Sequence, residues 1–428
     1  MKFTKINLES SEENFYKPID NSRVTLGTNN VLYWNSGRYG GKYGNRDNSY
    51  PDFVIDLAEN GTAIHSNIIN LKGNLITGDN LAPKDPDMEG ADDVTAFIKK
   101  RNRRGENLKN VYAQSAKQFA LFEMSYLQVV YSKDYSKIVE VYHIPVKDVR
   151  MDKPDALGNV SKYFISKKWS DISNKFYRKA SISNMAVSVP TFTGKELAKE
   201  LKQPVQLLCI KKPDYNDFYV TPSYSGGLLW ILTSNYIANF HSNNFKNSFL
   251  HQGMLVTYGS MSEPEEKEFA ENIEELFAGN VTDDKKRMML ANVENKEMTP
   301  QFISAQDLMQ DKQYDLLIKE ANQQVVSAHN CYSILAGLES KGADLGGDSN
   351  KLNTALKSFR LLVTDPLKNY LMAGYNVIME ENGLGLMDVD TSNFVIKNDP
   401  EEDNTAPDDA TTKDGQDVED QVDQTPDQ

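Results

Sequence analysis

Apolar positions change their period several times along the chain, and each change marks an element. Tyr50-Pro-Asp-Phe-Val-Ile-Asp-Leu opens a helical pattern, with Phe53, Leu57, Ile64 and Ile68 spaced for one face and Pro51 near its start. Residues 91–121 read as a second helix with Asp92 and Asp93 in its first turn. A basic cluster (Lys99, Lys100, Arg101, Arg103 and Arg104) falls in or just beyond the middle of that helix; it could touch DNA, although a solvated helix end or a subunit contact is favoured. The segments 124–131 and 137–144 are rich in β-branched and aromatic residues and flank the turn-like Ser132–Ser136, as in a meander. Further strands are expected at Tyr163–Trp169, Ala186–Val189 and Val205–Lys211.

The period lengthens at about Tyr224. Leu229, Leu232, Tyr236 and Phe240, then Phe245 and Phe249, line one side of a helix of about 25 residues, with Asn235, Asn239, Ser242, Asn243 and Asn244 between them. Gly253–Gly259 reads as a short strand. Ser262-Glu-Pro-Glu265 has capping-box spacing and starts a helix through Phe269, Ile273, Leu276 and Phe277 to Gly279. Met288–Ala291 reads as a strand, Asn292–Asn295 as a turn and Thr299–Ile303 as a partner strand. A long helix is predicted from Ala305 to Ala336, with Leu308, Leu316, Leu317, Val325, Val326, Ile334 and Leu335 as its apolar side. The glycine-rich Gly337–Asn350 then forms a mobile loop. A last helix, about Lys351–Glu381, carries Leu352, Leu356, Phe359, Leu367, Leu371, Tyr375 and Ile378, and Pro366 predicts a kink in its middle.

The chain has 428 residues and a formal net charge of −14. The last thirty residues, from Asp399, hold twelve acidic side chains against Lys413 alone, which is −11; residues 1–398 hold 46 cations against 49 acids, −3. That last segment has no aromatic residue and reads as a disordered acidic tail. No run approaches the ~20 apolar residues that span a bilayer, so no membrane role is expected. Nothing suggests secretion, and Cys209 and Cys331 do not make a disulfide framework.

Site chemistry is sparse. The histidines His65, His143, His241, His251 and His329 are scattered, and only His329 and Cys331 lie close, without the second ligand pair a zinc site needs. Gly37-Arg-Tyr-Gly-Gly-Lys-Tyr-Gly44 has a Gly-Lys pair, but Ser36 stands where a P-loop needs glycine and Tyr43 where it needs Ser or Thr. No catalytic, cofactor-binding or metal residue is assigned, and no enzyme activity is expected.

The order of elements, with its local sequence, resembles the portal proteins of tailed bacteriophages. The resemblance rests on Asp217-Phe-Tyr-Val-Thr-Pro-Ser-Tyr-Ser-Gly-Gly-Leu-Leu leading into a helix, Asn243-Asn-Phe-Lys-Asn, the strand start Gly253-Met-Leu-Val, and Asn330-Cys-Tyr-Ser-Ile-Leu-Ala-Gly-Leu. It covers about residues 50–395. Two departures stand out: Ser333-Ile-Leu lies where the family often has prolines, and Ser225-Gly-Gly precedes the helix.

The resemblance implies an α+β portal fold: an N-terminal wing (1–223), a first stem helix (224–250), a small α/β clip (251–304), a second stem helix (305–336), a tunnel loop (337–351), a kinked wing helix with a short crown region (352–395) and the acidic tail (396–428). It implies a cyclic homo-oligomer, usually twelve-fold, at one capsid vertex of the virion, assembled in the host cytoplasm. Double-stranded DNA would pass through the channel during packaging and ejection. Partners would be the terminase large subunit, head-tail adaptors, and the major capsid or scaffolding protein. Ser340, Lys341, Gly342, Asp344, Gly346, Gly347 and Lys351 would lie near DNA, and Glu263, Glu265, Glu266, Glu274 and Glu275 on the clip docking surface. A body near charge balance suits a channel that passes DNA without holding it. Deleting Ser340–Ser349 is then expected to impair packaging while rings persist, and truncation at Asn398 to leave rings intact. Another phage head-tail structural or adaptor protein, or an enzyme without a recognisable motif, remains the alternative.

Overall fold

The computed structural model describes residues 24–26, 31–35, 48–169, 186–215, 218–246, 254–258, 289–293, 311–338 and 349–390. Their elements, in chain order, are β1 (Val24–Leu26), β2 (Val31–Trp34), α1 (Tyr50–Asn60), α2 (Ala63–Thr77), β3 (Asn80–Pro83), α3 (Ala91–Lys99), α4 (Leu108–Phe122), β4 (Met124–Tyr131), β5 (Ile138–Ile144), β6 (Val149–Asp152), β7 (Lys162–Ile165), β8 (Val187–Pro190), α5 (Lys195–Glu200) and β9 (Val205–Lys211). They continue with α6 (Leu228–Lys246), β10 (Met254–Tyr258), β11 (Met289–Val293), α7 (Asp311–Ala328), α8 (Ser349–Phe359), α9 (Asp365–Glu381) and β12 (Met387–Asp390).

The body is built on two antiparallel sheets, one ordered β1-β2-β6-β7-β8 and one ordered β5-β4-β9. β4 is buried on both faces, which explains its almost unbroken apolar run. Met124 and Tyr126 face one core with Trp34, Tyr219 and Leu228, while Leu127, Val129 and Tyr131 face another with Val111, Phe119, Leu371 and Tyr375. The first core is pinned by Tyr219, whose ring stacks on Trp34 at 4.4 Å. The Tyr219 hydroxyl donates to the Leu32 carbonyl at 2.7 Å and accepts from the Met151 amide at 2.9 Å. β12 closes the second core by pairing antiparallel with β3.

Several expectations change in extent. The helical pattern from Tyr50 is two helices, because Thr62 caps α2 by accepting from the His65 amide. Residues 91–121 are likewise two helices. Asn102 builds a turn between them, its side chain accepting from the Arg104 and Glu106 amides while Gly105 takes φ +80°. The basic cluster therefore belongs to this turn and the end of α3 and not to mid-helix. β7 ends at Ile165, and Trp169 lies beyond it with its indole donating to the Asp148 carbonyl. The meander is incomplete, since β4 takes β9 as its second neighbour. β11 runs on through Asn292 to Val293, where a turn was expected.

α6 spans 19 residues, about 28 Å, and is preceded by a 3-10 turn, Ser223–Gly227. The expected apolar side is only partly the packed one: Leu228 and Ile231 enter the core and Leu232 packs against it, whereas Leu229 (53% exposed) and Tyr236 (66%) point outward. α7 ends at Ala328, earlier than expected. Asn330 takes the left-handed conformation (φ +49°), and the Cys331 amide bonds back to the Val326 carbonyl, a Schellman arrangement that satisfies the helix end. Leu316 and Leu317 are exposed on α7, while Val325 and Val326 are buried. The start of α6 meets the end of α7, so the two run antiparallel. β10 and β11, in the connection between them, pair in parallel. The interruption expected at Pro366 takes the form of a π-helical turn, Arg360–Thr364, directly before it, with Pro366 in the first turn of α9.

The helix expected at 262–279, the strand at 299–303, the glycine-rich stretch 37–44 and the acidic tail lie outside the described residues. Among the described residues, no helix is long and apolar enough to cross a membrane.

Candidate functional site

The root of α6 and α7 is held to the body by buried and half-buried polar side chains from five places in the chain. His65 and Lys72, seven residues apart, share one face of α2. His329 caps the end of α7, Tyr224 lies in the 3-10 turn before α6, Glu123 follows α4, and Lys212 follows β9. Lys72 Nζ lies 3.1 Å from His329 Nδ1, and His329 Nε2 lies 2.9 Å from His65 Nδ1. The Tyr224 ring stacks on His329 at 4.7 Å, and its hydroxyl donates to the Leu121 carbonyl.

An ammonium has only donors, which fixes the direction of this chain. Lys72 donates to His329 Nδ1, so the proton of neutral His329 sits on Nε2 and is donated to His65 Nδ1. The remaining proton of His65 is on Nε2, a buried atom without a hydrogen-bond partner. Burial lowers all three groups: His65 to about 4, Lys72 to about 8 against the pull of Glu123, and His329 well below its usual range, with Lys72 adding to the shift of both imidazoles. The site can hold one cation, Lys72, and resists a second.

A second polar joint lies beside it. Glu123 occupies a left-handed backbone position (φ +54°), unusual for a residue with a side chain. Its carboxylate, 2% exposed, accepts from Lys212 Nζ at 2.7 Å and from the Ser223 amide at 3.0 Å. The residue that ends α4 thus fixes the turn that starts α6. Gly227 completes the root, since a Cβ built there would overlap the Cβ of Ala328. Together these contacts set how the start of α6 and the end of α7 sit on the α+β body.

Of the expected site residues, Ser340, Lys341, Gly342, Asp344, Gly346 and Gly347 lie outside the described residues, as do Glu263, Glu265, Glu266, Glu274 and Glu275. Lys351 is exposed in the first turn of α8. The basic cluster is brought together on the α3–α4 turn, with Lys99, Lys100, Arg101, Arg103 and Arg104 all exposed. Sequence reasoning missed the His65–His329–Lys72 chain and the Glu123–Lys212 pair. Each joins positions far apart in sequence, and only the proximity of His329 to Cys331 gave any signal. Among the described residues, no group of three or more His, Cys, Asp or Glu side chains could hold a metal ion.

No protein-family model matches the chain, and no curated protein matches it. Among solved structures, it is similar to a chain in the virion of the native gene transfer agent (GTA) particle, at 13% identity over 80% of this chain and 84% of that one, with a TM-score of 0.51. A chain in the neck of the empty GTA particle gives 12% identity over 80% and 84%, with a TM-score of 0.50. The crystal structure of an HK97 family phage portal protein from Corynebacterium diphtheriae gives 9% identity over 79% and 95%, with a TM-score of 0.41. The fold that the chain shares over four-fifths of its length is that of a GTA virion chain.

Proposed function

We propose that this chain is a portal-type subunit: a structural protein that closes with copies of itself into a ring at one vertex of a virus-like particle and lets double-stranded DNA through the central hole. The observation that carries this reading is the antiparallel pair α6 and α7, rooted in a mixed body and bracketing the parallel strands β10 and β11, within a fold shared with a GTA virion chain. The neck of the empty GTA particle, which holds a similar chain, was computed with C6 symmetry; cyclic assembly is what the proposal carries over. A cyclic ring needs two different complementary faces on each subunit. α6 supplies one apolar face to the body (Leu228, Ile231) and keeps another outward (Leu229, Tyr236).

On this reading, α6 and α7 are stem helices, the β10–β11 region is the clip, and the terminase and head-tail adaptors dock at the clip. Imaging of the purified protein tests it. Rings with a central hole, about 580 kDa for twelve chains of 48.3 kDa, are expected. A chain that stays monomeric at all concentrations overturns the reading.

A further inference from the structure

The α3–α4 turn displays more positive charge than its surroundings neutralise. Lys99, Lys100, Arg101, Arg103 and Arg104 occupy five of six consecutive positions, and all are exposed. Of these, Arg103 alone makes an ion pair among the described residues, with Glu140 at 3.3 Å, and at 85% exposure that pair contributes little. The other nearby carboxylate, Glu106, is engaged by the side-chain amides of Asn102 and Gln114.

The display is also rigid. Asn102 donates to the Val141 carbonyl, its side-chain oxygen accepts from two amides of the turn, and the Arg103 amide reaches the Tyr142 hydroxyl. The Arg104 guanidinium lies 4.9 Å from the Tyr142 ring centre. Lys99 suits the C-terminal end of the α3 dipole, but the four cations after it serve no helix. A turn pinned to β5 by hydrogen bonds from Asn102 and Arg103, holding its cations outward, is suited to a polyanion.

We propose that this turn is the docking surface for the acidic segment 399–428 of the same chain. Charge complementarity is the first support: that segment carries −11, the largest net charge of any thirty residues of the sequence, ahead of the −8 of residues 263–284. Position is the second. The last described element, β12, pairs with β3 and shares an apolar cluster with Val94 and Ile98 of α3. Asn382, just before β12, is bonded in both directions to Ile138, two residues along β5 from the Glu140 that pairs with Arg103. Reach is the third. Asp399 is nine residues beyond Asp390, up to about 30 Å of extended chain, whereas α3 is about 14 Å long. Tethering at this length gives an effective concentration of order millimolar, so several weak exposed pairs suffice. The tethered segment would then occupy the cations that nucleic acid phosphates would otherwise meet.

The test uses the full chain, mixed from light and isotope-labelled copies and coupled with a zero-length carbodiimide. Links from Lys99 or Lys100 to carboxylates of 399–428 are expected within single copies, at least tenfold fewer at about 1 M salt than at about 0.05 M. In parallel, a fluorescent DNA duplex is titrated by anisotropy. The chain truncated after Asn398 is expected to bind it at least tenfold more tightly than the full chain, and R101Q/R103Q/R104Q in the truncated chain to abolish that gain. Absence of the links, or links only between different copies, overturns the proposal. Equal duplex binding by the full and truncated chains also overturns it and leaves the turn to nucleic acid. None of these outcomes depends on whether imaging finds rings.

Discussion

His65 Nδ1 lies 2.9 Å from His329 Nε2, joining α2 to the end of α7 across 264 positions of sequence. Both imidazoles must stay neutral, since protonating either one sets two donors facing each other or adds a charge beside Lys72. His143, buried at 3.2 Å from the Ser115 hydroxyl, is also lowered to about 4 by burial. Between pH 4 and 6.5 the unfolded chain binds protons at these positions that the folded chain refuses, so stability falls as pH falls through that window. Lys72 acts in the same sense higher up: from its folded value of about 8 to its usual value of 10.5, stability rises with pH. Replacing His143 with Gln keeps a partner for Ser115 and removes one titration. Urea unfolding at a series of pH values should then show a slope lower by up to about 1.4 kcal/mol per pH unit between 4 and 6.5. An unchanged slope rules out a buried neutral His143.

The Glu123–Lys212 pair predicts an asymmetry. Lys212→Met leaves a nearly fully buried carboxylate without its cation and should cost about 3 kcal/mol. Glu123→Gln still accepts from the Ser223 amide and should cost about 1 kcal/mol. The double variant should resemble the milder one. If Lys212→Met proves the milder change, the ion pair is not what holds this joint.

The close approach of Gly227 to Ala328 is a packing constraint between two helix ends. Gly227→Ala should destabilise by about 1–3 kcal/mol, because the obstacle is a Cβ fixed to the helix and not the tip of a flexible side chain. Ala328→Gly should recover more than half of that loss in the double variant, an interaction that a mutant cycle reads directly. Additive losses would mean that the two helices do not meet at these residues.

These three joints mark the limit of what periodicity can show. Strands β4, β5 and β9 were legible to within a residue because their β-branched and aromatic runs are bounded by turn residues. The interruption at Pro366 was legible because proline removes a backbone donor. Helix ends set by side-chain caps were not: Thr62 and Asn102 break two apparently continuous patterns through local hydrogen bonds that leave the apolar spacing intact. The apolar side of α6 was read from Leu229, Leu232 and Tyr236, yet of these only Leu232 packs against the core, beside Leu228 and Ile231, because the helix is apolar on two sides and periodicity cannot say which one meets the body. The His65–His329–Lys72 chain had no local signature beyond the closeness of His329 to Cys331, which does not point to His65 or Lys72.

Exposed apolar residues give the ring reading its sharpest test. Leu362, Pro366, Tyr370, Ala373 and Val377 follow helical spacing along one side of the π-turn and α9, and all are exposed. Leu362 is 69% exposed and Tyr370 41%, so neither helps to hold the single chain together. In a cyclic ring this stripe is suited to cover a different face of the next copy, such as the outward side of α6. Burying a leucine or an aromatic ring there would contribute about 1.5–3 kcal/mol per contact. Leu362→Ser combined with Tyr370→Ser should change the unfolding free energy of the dissociated chain by less than about 0.5 kcal/mol per site. The same pair should abolish rings in light scattering and electron microscopy. Rings that assemble normally from the double variant would exclude α9 from the interface and move it elsewhere on the chain.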